Sequence, residues 1–148
     1  MKKIYLTLLL LITVMAVKAQ GPIKLWNDQL DQFITEFNQV DTALEQLYSS
    51  NGLTDFIFTY FEPESGNVIK ETTVYNSNPG AFINDELLAS AKNIALNQLA
   101  KSLRSNSKMK PIINEFAKRN TQIVLLYTAD GKVLDKVVIS PSEILSAN

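Results

Sequence analysis

From Trp26, apolar residues recur at Leu30, Phe33, Phe37, Val40, Leu44 and Leu47, in alternating steps of four and three. Only a helix turns that spacing onto one face. The other positions include Asp28, Asp31, Gln32, Asn38, Gln39, Glu45 and Gln46, so the helix is amphipathic, and Asn51-Gly52 supplies its stop. Ile34 and Tyr48 widen the stripe beyond a two-per-heptad seam, which favours packing on the chain's own sheet over a partner helix.

The period then changes. TDFIFTYF, Thr54 to Phe61, is short, aromatic and β-branched, and predicts a strand. EPESGN turns the chain, and VIKETTVY, Val68 to Tyr75, returns it, with Lys70 and Glu71 pointing to a position nearer a sheet edge. After the loop NSNPG, Asn84 or Asp85 can cap a second helix running to about Arg104. Its apolar residues Leu87, Leu88, Ala91, Ile94, Ala95, Leu96, Leu99 and Leu103 cover over half of its circumference, and Ala91 and Ala95 allow a close approach to a sheet. Met109, Ile112, Ile113 and Phe116 predict a short third helix, with Pro111 in its first turn.

TQIVLLYT, Thr121 to Thr128, is apolar on both alternating faces, as a central strand covered on both sides would be. Asp130-Gly131 is a two-residue hairpin signal, since both positions of that turn need positive φ. An unbroken ladder from it sets Ala129 opposite Lys132, Tyr127 opposite Leu134, Leu125 opposite Lys136 and Ile123 opposite Val138. Ser140-Pro141-Ser142-Glu143 combines a capping box with proline at the first helical position, which starts a last short helix. The fold class that results is α+β: a single four-stranded, mostly antiparallel sheet made of two β-hairpins packed with helices, in the order α-β-β-α-α-β-β-α. The pattern fixes no strand order, though 54–61 and 121–128 are the better candidates for the centre.

The first twenty residues, MKKIYLTLLLLITVMAVKAQ, place two lysines before an apolar run of 14 residues, Ile4 to Val17, and then Val17-Lys18-Ala19. That is the grammar of a secretory signal peptide cleaved after Ala19, and the run is short of the roughly 20 residues a spanning helix needs. An uncleaved anchor is the competing reading, because Lys18 sits close to the cut. Residues 20–148 are then expected to form a single domain, periplasmic or secreted and not transmembrane after processing. In signal segment and size the chain resembles small exported bacterial proteins, a resemblance that carries no residue across.

Removing Lys2, Lys3 and Lys18 leaves 11 basic and 15 acidic residues, net −4. The charge is uneven, −9 from Gln20 to Ala91 and +5 from Lys92 to Asn148. The chain has no His and no Cys. Ser-His-Asp and Cys-His catalysis, thiol chemistry and the usual zinc, copper and haem ligation are therefore closed to it. No cofactor is expected and no metal site, and five glycines form no phosphate loop.

Carboxylate pairs remain, Glu62 with Glu64 and Asp85 with Glu86, but turn acids and acids in a first helical turn have structural explanations. Ser105-Asn106-Ser107-Lys108 matches S-x-x-K without its companion motifs and lies in a helix link. Asp130-Gly131 lacks the alternating acids of a calcium loop. Two surface candidates are left. One is an anion or partner patch of Lys101, Arg104, Lys108, Lys110, Lys118 and Arg119, which could meet the acidic half of another copy or an anionic envelope component. The other is an aromatic cleft of Tyr60, Phe61 and Tyr75. The expected function is a small exported non-catalytic module that binds a protein partner or a small ligand, with no nucleic acid. The alternatives are a carboxylate-dependent hydrolase and an accessory subunit of an envelope assembly.

Overall fold

A computed structural model describes residues 22–147. The signal segment, its cut after Ala19 and the anchor alternative lie outside the described residues. By compactness the chain divides into two units, residues 1–32 and 33–148. Helix α1 covers residues 22–37. In the first unit its turns carry a Lys24–Asp28 ion pair of 3.6 Å one turn apart. Among the described residues no helix is long and apolar enough to cross a membrane.

The second unit holds the sheet. After residues 33–37 the backbone tightens into a 3-10 turn at Asn38–Val40, with the Asp41 N–H bonded to the Asn38 carbonyl, and then resumes as α2, Asp41–Ser50. The stripe from Trp26 to Tyr48 therefore lies on two helical pieces instead of one. α2 ends as Asn51-Gly52 foretells: Gly52 takes φ +80°, and the Leu53 N–H reaches back to the Tyr48 carbonyl.

The strands are β1 (Asp55–Glu62), β2 (Asn67–Val74), β3 (Ile123–Ala129) and β4 (Lys132–Ile139), with α3 (Asp85–Ser105) and α4 (Met109–Arg119) between the hairpins and α5 (Pro141–Ser146) at the end. They form one four-stranded sheet ordered β1-β2-β3-β4, and the expected α-β-β-α-α-β-β-α order holds. The two hairpins are antiparallel, and β2 pairs with β3 in parallel. Caps form where the sequence places them. Asn84 accepts the Leu87 N–H at 2.9 Å, and Ser140 with Glu143 completes the capping box. Asp130 and Gly131 both take positive φ, as their turn requires.

Two expectations change. β2 is central and β1 is an edge, because the Lys70 charge that suggested an edge is neutralised inside the fold. The β3–β4 ladder is not unbroken: after Ala129↔Lys132 and Thr128↔Val133 it slips at Tyr127, so Tyr127 faces Asp135, Leu125 faces Val137 and Ile123 faces Ile139. The bulge has a plain cause, since unbroken pairing would set Lys136 and Val138 beside the buried Leu125 and Ile123, whereas the slip brings Val137 and Ile139 there. β3 is central as expected, and all of its residues but Leu126 are buried, on both alternating faces, with Tyr48 of α2 packed on the inner one.

That inner face is made by Val68, Lys70, Thr72 and Val74 of β2 and Ile123, Leu125, Tyr127 and Ala129 of β3, all buried. Tyr48 of α2 meets it edge-on, its ring centroid 5.9 Å from that of Tyr127 and the two hydroxyls 2.9 Å apart. Ala91 and Ala95 of α3 are fully buried, the close approach that small side chains permit. Phe116 of α4 packs on Phe33, ring centroids 4.7 Å apart.

Candidate functional site

Strand alternation assigns the second, outer face of the sheet: Phe56, Phe58, Tyr60 and Glu62 from β1, Asn67, Ile69, Glu71 and Thr73 from β2, and Val124, Leu126 and Thr128 from β3. Its margins are open. Phe56 is 58% and Phe58 38% exposed on β1, and Val133 and Val138 are exposed on β4. The three β1 rings form a ladder, with Phe56 to Phe58 centroids 5.9 Å apart and Phe58 to Tyr60 5.5 Å apart, the second pair inclined by only 21°. Phe58 and Tyr60 therefore stack along the strand, Phe56 tilts beside them, and the three make a ridge.

Glu71 stands beside the ridge. It accepts the Tyr60 hydroxyl at 3.0 Å on one oxygen and the Thr128 hydroxyl at 2.8 Å on the other, which locks three strands' side chains into one polar cluster. Burial, then the bond to Glu71, pushes the Tyr60 phenol up to about 12, so it stays a donor at neutral pH.

The anticipated cleft does not form from its three members. Tyr60 and Phe61 are consecutive in β1 and point to opposite faces of the sheet, and Tyr75 lies beyond the end of β2, exposed. Phe56 and Phe58 were missed, although aromatic residues at 56, 58 and 60 carry the period-two signal that could have found them.

The basic residues fall in two places. Lys101 and Arg104 lie on the last turns of α3 and Lys108 and Lys110 at the start of α4, whereas Lys118 and Arg119 end α4 one turn from Glu115, at 3.7 and 3.0 Å. Lys101 also borders a shallow groove of about 270 Å³ between the 3-10 turn, α2 and α3, lined by Gln39, Val40, Ala43, Ile94, Asn97 and Gln98. The S-x-x-K match is helix-end structure, since the Ser105 hydroxyl donates to the Lys101 carbonyl at 3.0 Å.

The candidate carboxylate pairs are likewise placed. Glu62 accepts the Ser65 hydroxyl across the β1–β2 turn, which Glu64 shares, and Asp85 and Glu86 occupy the exposed first turn of α3. Asp55 is the carboxyl held above its usual range, by burial first and then by the charge of Glu45. Among the described residues no group of three or more acids could hold a metal.

The strongest polar site is interior. Lys70, 1% exposed, donates to Asp41 at 2.5 Å, Thr59 at 2.6 Å and Asn38 at 3.3 Å, with its nitrogen 4.4 Å from the centre of the Phe37 ring. Burial holds its ammonium below the usual lysine range, and Asp41 pulls it back up. The 3-10 turn places both Asn38 and Asp41 over it. All of this lysine's donors are engaged, so it ties α2 to the sheet and offers no free nucleophile. Comparison with protein families, curated proteins and solved structures finds no match for this chain.

Proposed function

We propose that this protein is a small exported, non-catalytic module that binds a protein partner through the outer face of its sheet. The single observation that carries the reading is the aromatic ridge, with Phe56 and Phe58 standing open beside the rigid Tyr60–Glu71–Thr128 cluster. Exposed apolar side chains rimmed by fixed polar groups are the ordinary anatomy of a protein contact. A sugar-binding platform would present ring faces outward, and here Phe58 and Tyr60 stack on each other.

The absence of His and Cys supports a non-catalytic role, as does the full engagement of Lys70. Export is supported by the MKKI leader pattern and the apolar run to Val17, the grammar of a signal peptide cut after Ala19, which would send the mature chain to the periplasm or outside the cell.

Photo-cross-linking in intact cells tests the reading. Benzoylphenylalanine at position 58 is expected to capture a second polypeptide, and the same group at position 101, in the α2–α3 groove, is not. Equal capture from both positions, or none from 58, would remove the outer face from consideration. The mass of the exported form, expected to begin at Gln20, checks processing in the same preparation.

A further inference from the structure

We propose that the β1 edge accepts an extended polypeptide segment with basic flanks, which adds to the sheet as a fifth strand. This rests on the outer face being a protein-binding surface and adds the geometry and the chemistry of the partner.

The two edges of the sheet differ. β4 carries the exposed charges Lys132, Asp135 and Lys136 and is bent by a bulge, the devices that keep an edge from pairing with another chain. β1 carries charge only at its two ends, Asp55 and Glu62, and no bulge. Phe56 through Phe61 are uncharged, the β1–β2 register runs without a slip from Asp55↔Val74 to Glu62↔Asn67, and no proline interrupts it.

The backbone is placed to receive a strand. The Tyr75 N–H bonds the Thr54 carbonyl, which makes Thr54 and Tyr75 a hydrogen-bonded pair. In an antiparallel ladder such pairs alternate, so Phe56, Phe58 and Tyr60 bond to β2, and Ile57 and Thr59 turn their N–H and C=O groups to the free side. A strand seated there would lay alternate side chains about 5 Å from Phe56 and Phe58.

Charge selects the occupant. The edge is bracketed by Asp55 and Glu62, with Glu64 in the adjoining turn and Glu45 close enough on α2 to act on Asp55. Lys70, opposite Thr59 on β2, is buried against Asp41. A second copy paired edge to edge would confront these acids with the same acids, whereas a segment with Lys or Arg at its ends would meet opposite charge at both.

Purified protein would be titrated with three labelled nine-residue peptides: alternating Thr and Val with Lys at both ends, the same core with Glu at both ends, and the Lys-flanked form with alternate amides N-methylated. Fluorescence anisotropy reads binding, and hydrogen exchange reads the amides. The Lys-flanked peptide is expected to bind about tenfold tighter than the Glu-flanked one, and N-methylation to abolish binding. The Ile57 and Thr59 amides should slow their exchange when it binds. Ile57→Pro, which removes an outward N–H, and Phe58→Lys, which leaves the backbone intact, should each abolish binding.

Equal affinity for the Lys- and Glu-flanked peptides, no slowing at Ile57 and Thr59, or binding unaffected by Phe58→Lys would each overturn the proposal. A dimer that Ile57→Pro returns to monomer would also overturn it, since the occupant would then be a second copy. If these results fail while position 58 still captures a protein in cells, the edge is wrong and the outer face stands. If both fail, both fall.

Discussion

Replacing Asp41 by Asn and Lys70 by Met breaks the same ion pair but should destabilise the fold unequally. Lys70 is 1% exposed and Asp41 25%. Asp41→Asn leaves an ammonium among Asn38, Thr59 and the Phe37 ring with no counter-charge, and a buried charge stripped of its partner costs about 3–5 kcal/mol. The Asn carbonyl can still accept one bond, so we take the lower figure, about 3 kcal/mol. Lys70→Met keeps the volume of the stem and leaves the carboxylate at the partly hydrated first turn of α2, where the helix dipole favours it. Its cost should be about 1 kcal/mol, from hydrogen bonds lost by Thr59 and Asn38.

Urea denaturation separates the two. At an m-value of about 1.5 kcal/mol/M the midpoints fall by roughly 2 M and 0.7 M. The pH dependence supplies a second reading. Because burial lowers the folded-state pKa of Lys70 below 10.5, unfolding takes up a proton between that folded value and 10.5, and this group's contribution to stability rises with pH across that window. Asp41→Asn removes the partner that pulls the pKa back, so its deficit should shrink from neutral pH toward pH 10.5, while that of Lys70→Met should not. Equal midpoints for the two variants, or an Asp41→Asn deficit independent of pH, would refute the reasoning.

Three further outcomes are expected. In a double-mutant cycle Tyr48→Phe and Tyr127→Phe should be non-additive by about 1 kcal/mol, because each removes the same buried hydroxyl bond, as thermal unfolding can measure. Burial raises both phenols above 10, so their contribution is present below pH 10 and is lost as the pH rises further, which an alkaline unfolding curve of the double variant should lack. Glu71→Gln should bring the Tyr60 titration midpoint down from about 12, though not to the free-tyrosine value, since burial is the larger cause; ultraviolet difference titration against Tyr60→Phe measures it. Gly52→Ala should destabilise more than Gly131→Ala, because both residues have positive φ but only at Gly52 does an added Cβ meet a side chain, Phe82 at 3.2 Å; urea midpoints of the two variants check the order.

The local features of this fold were legible because their signals are local. Asp130-Gly131, the Ser140 box and the Asn84 cap each read out a few neighbouring residues, and each forms where the sequence places it. What was hidden depends on distant partners. Lys70 looks like an edge residue until Asp41, 29 positions earlier, is set beside it, and so β2 was misplaced. The β3–β4 slip obeys burial at Leu125 and Ile123 against the register that the turn alone would impose, and nothing in the turn announces it. The outer face was half legible. Period-two aromatics at 56, 58 and 60 were there to be read, but which face of β1 the helices would cover depends on the strand order.

The parallel joint between β2 and β3 also shapes how the chain must fold. Each hairpin closes over a short turn, an event on the order of microseconds. Uniting them requires residues 75–122 to be drawn into a closed loop, at an entropic cost of about 3 kcal/mol before any β2–β3 contact repays it. The hairpins can form early and apart, and their union through α3 and α4 should limit the rate. Substitutions at the joint, such as Val68→Ala or Leu125→Ala, should then slow folding, while those on the outer positions of β1 should mainly hasten unfolding.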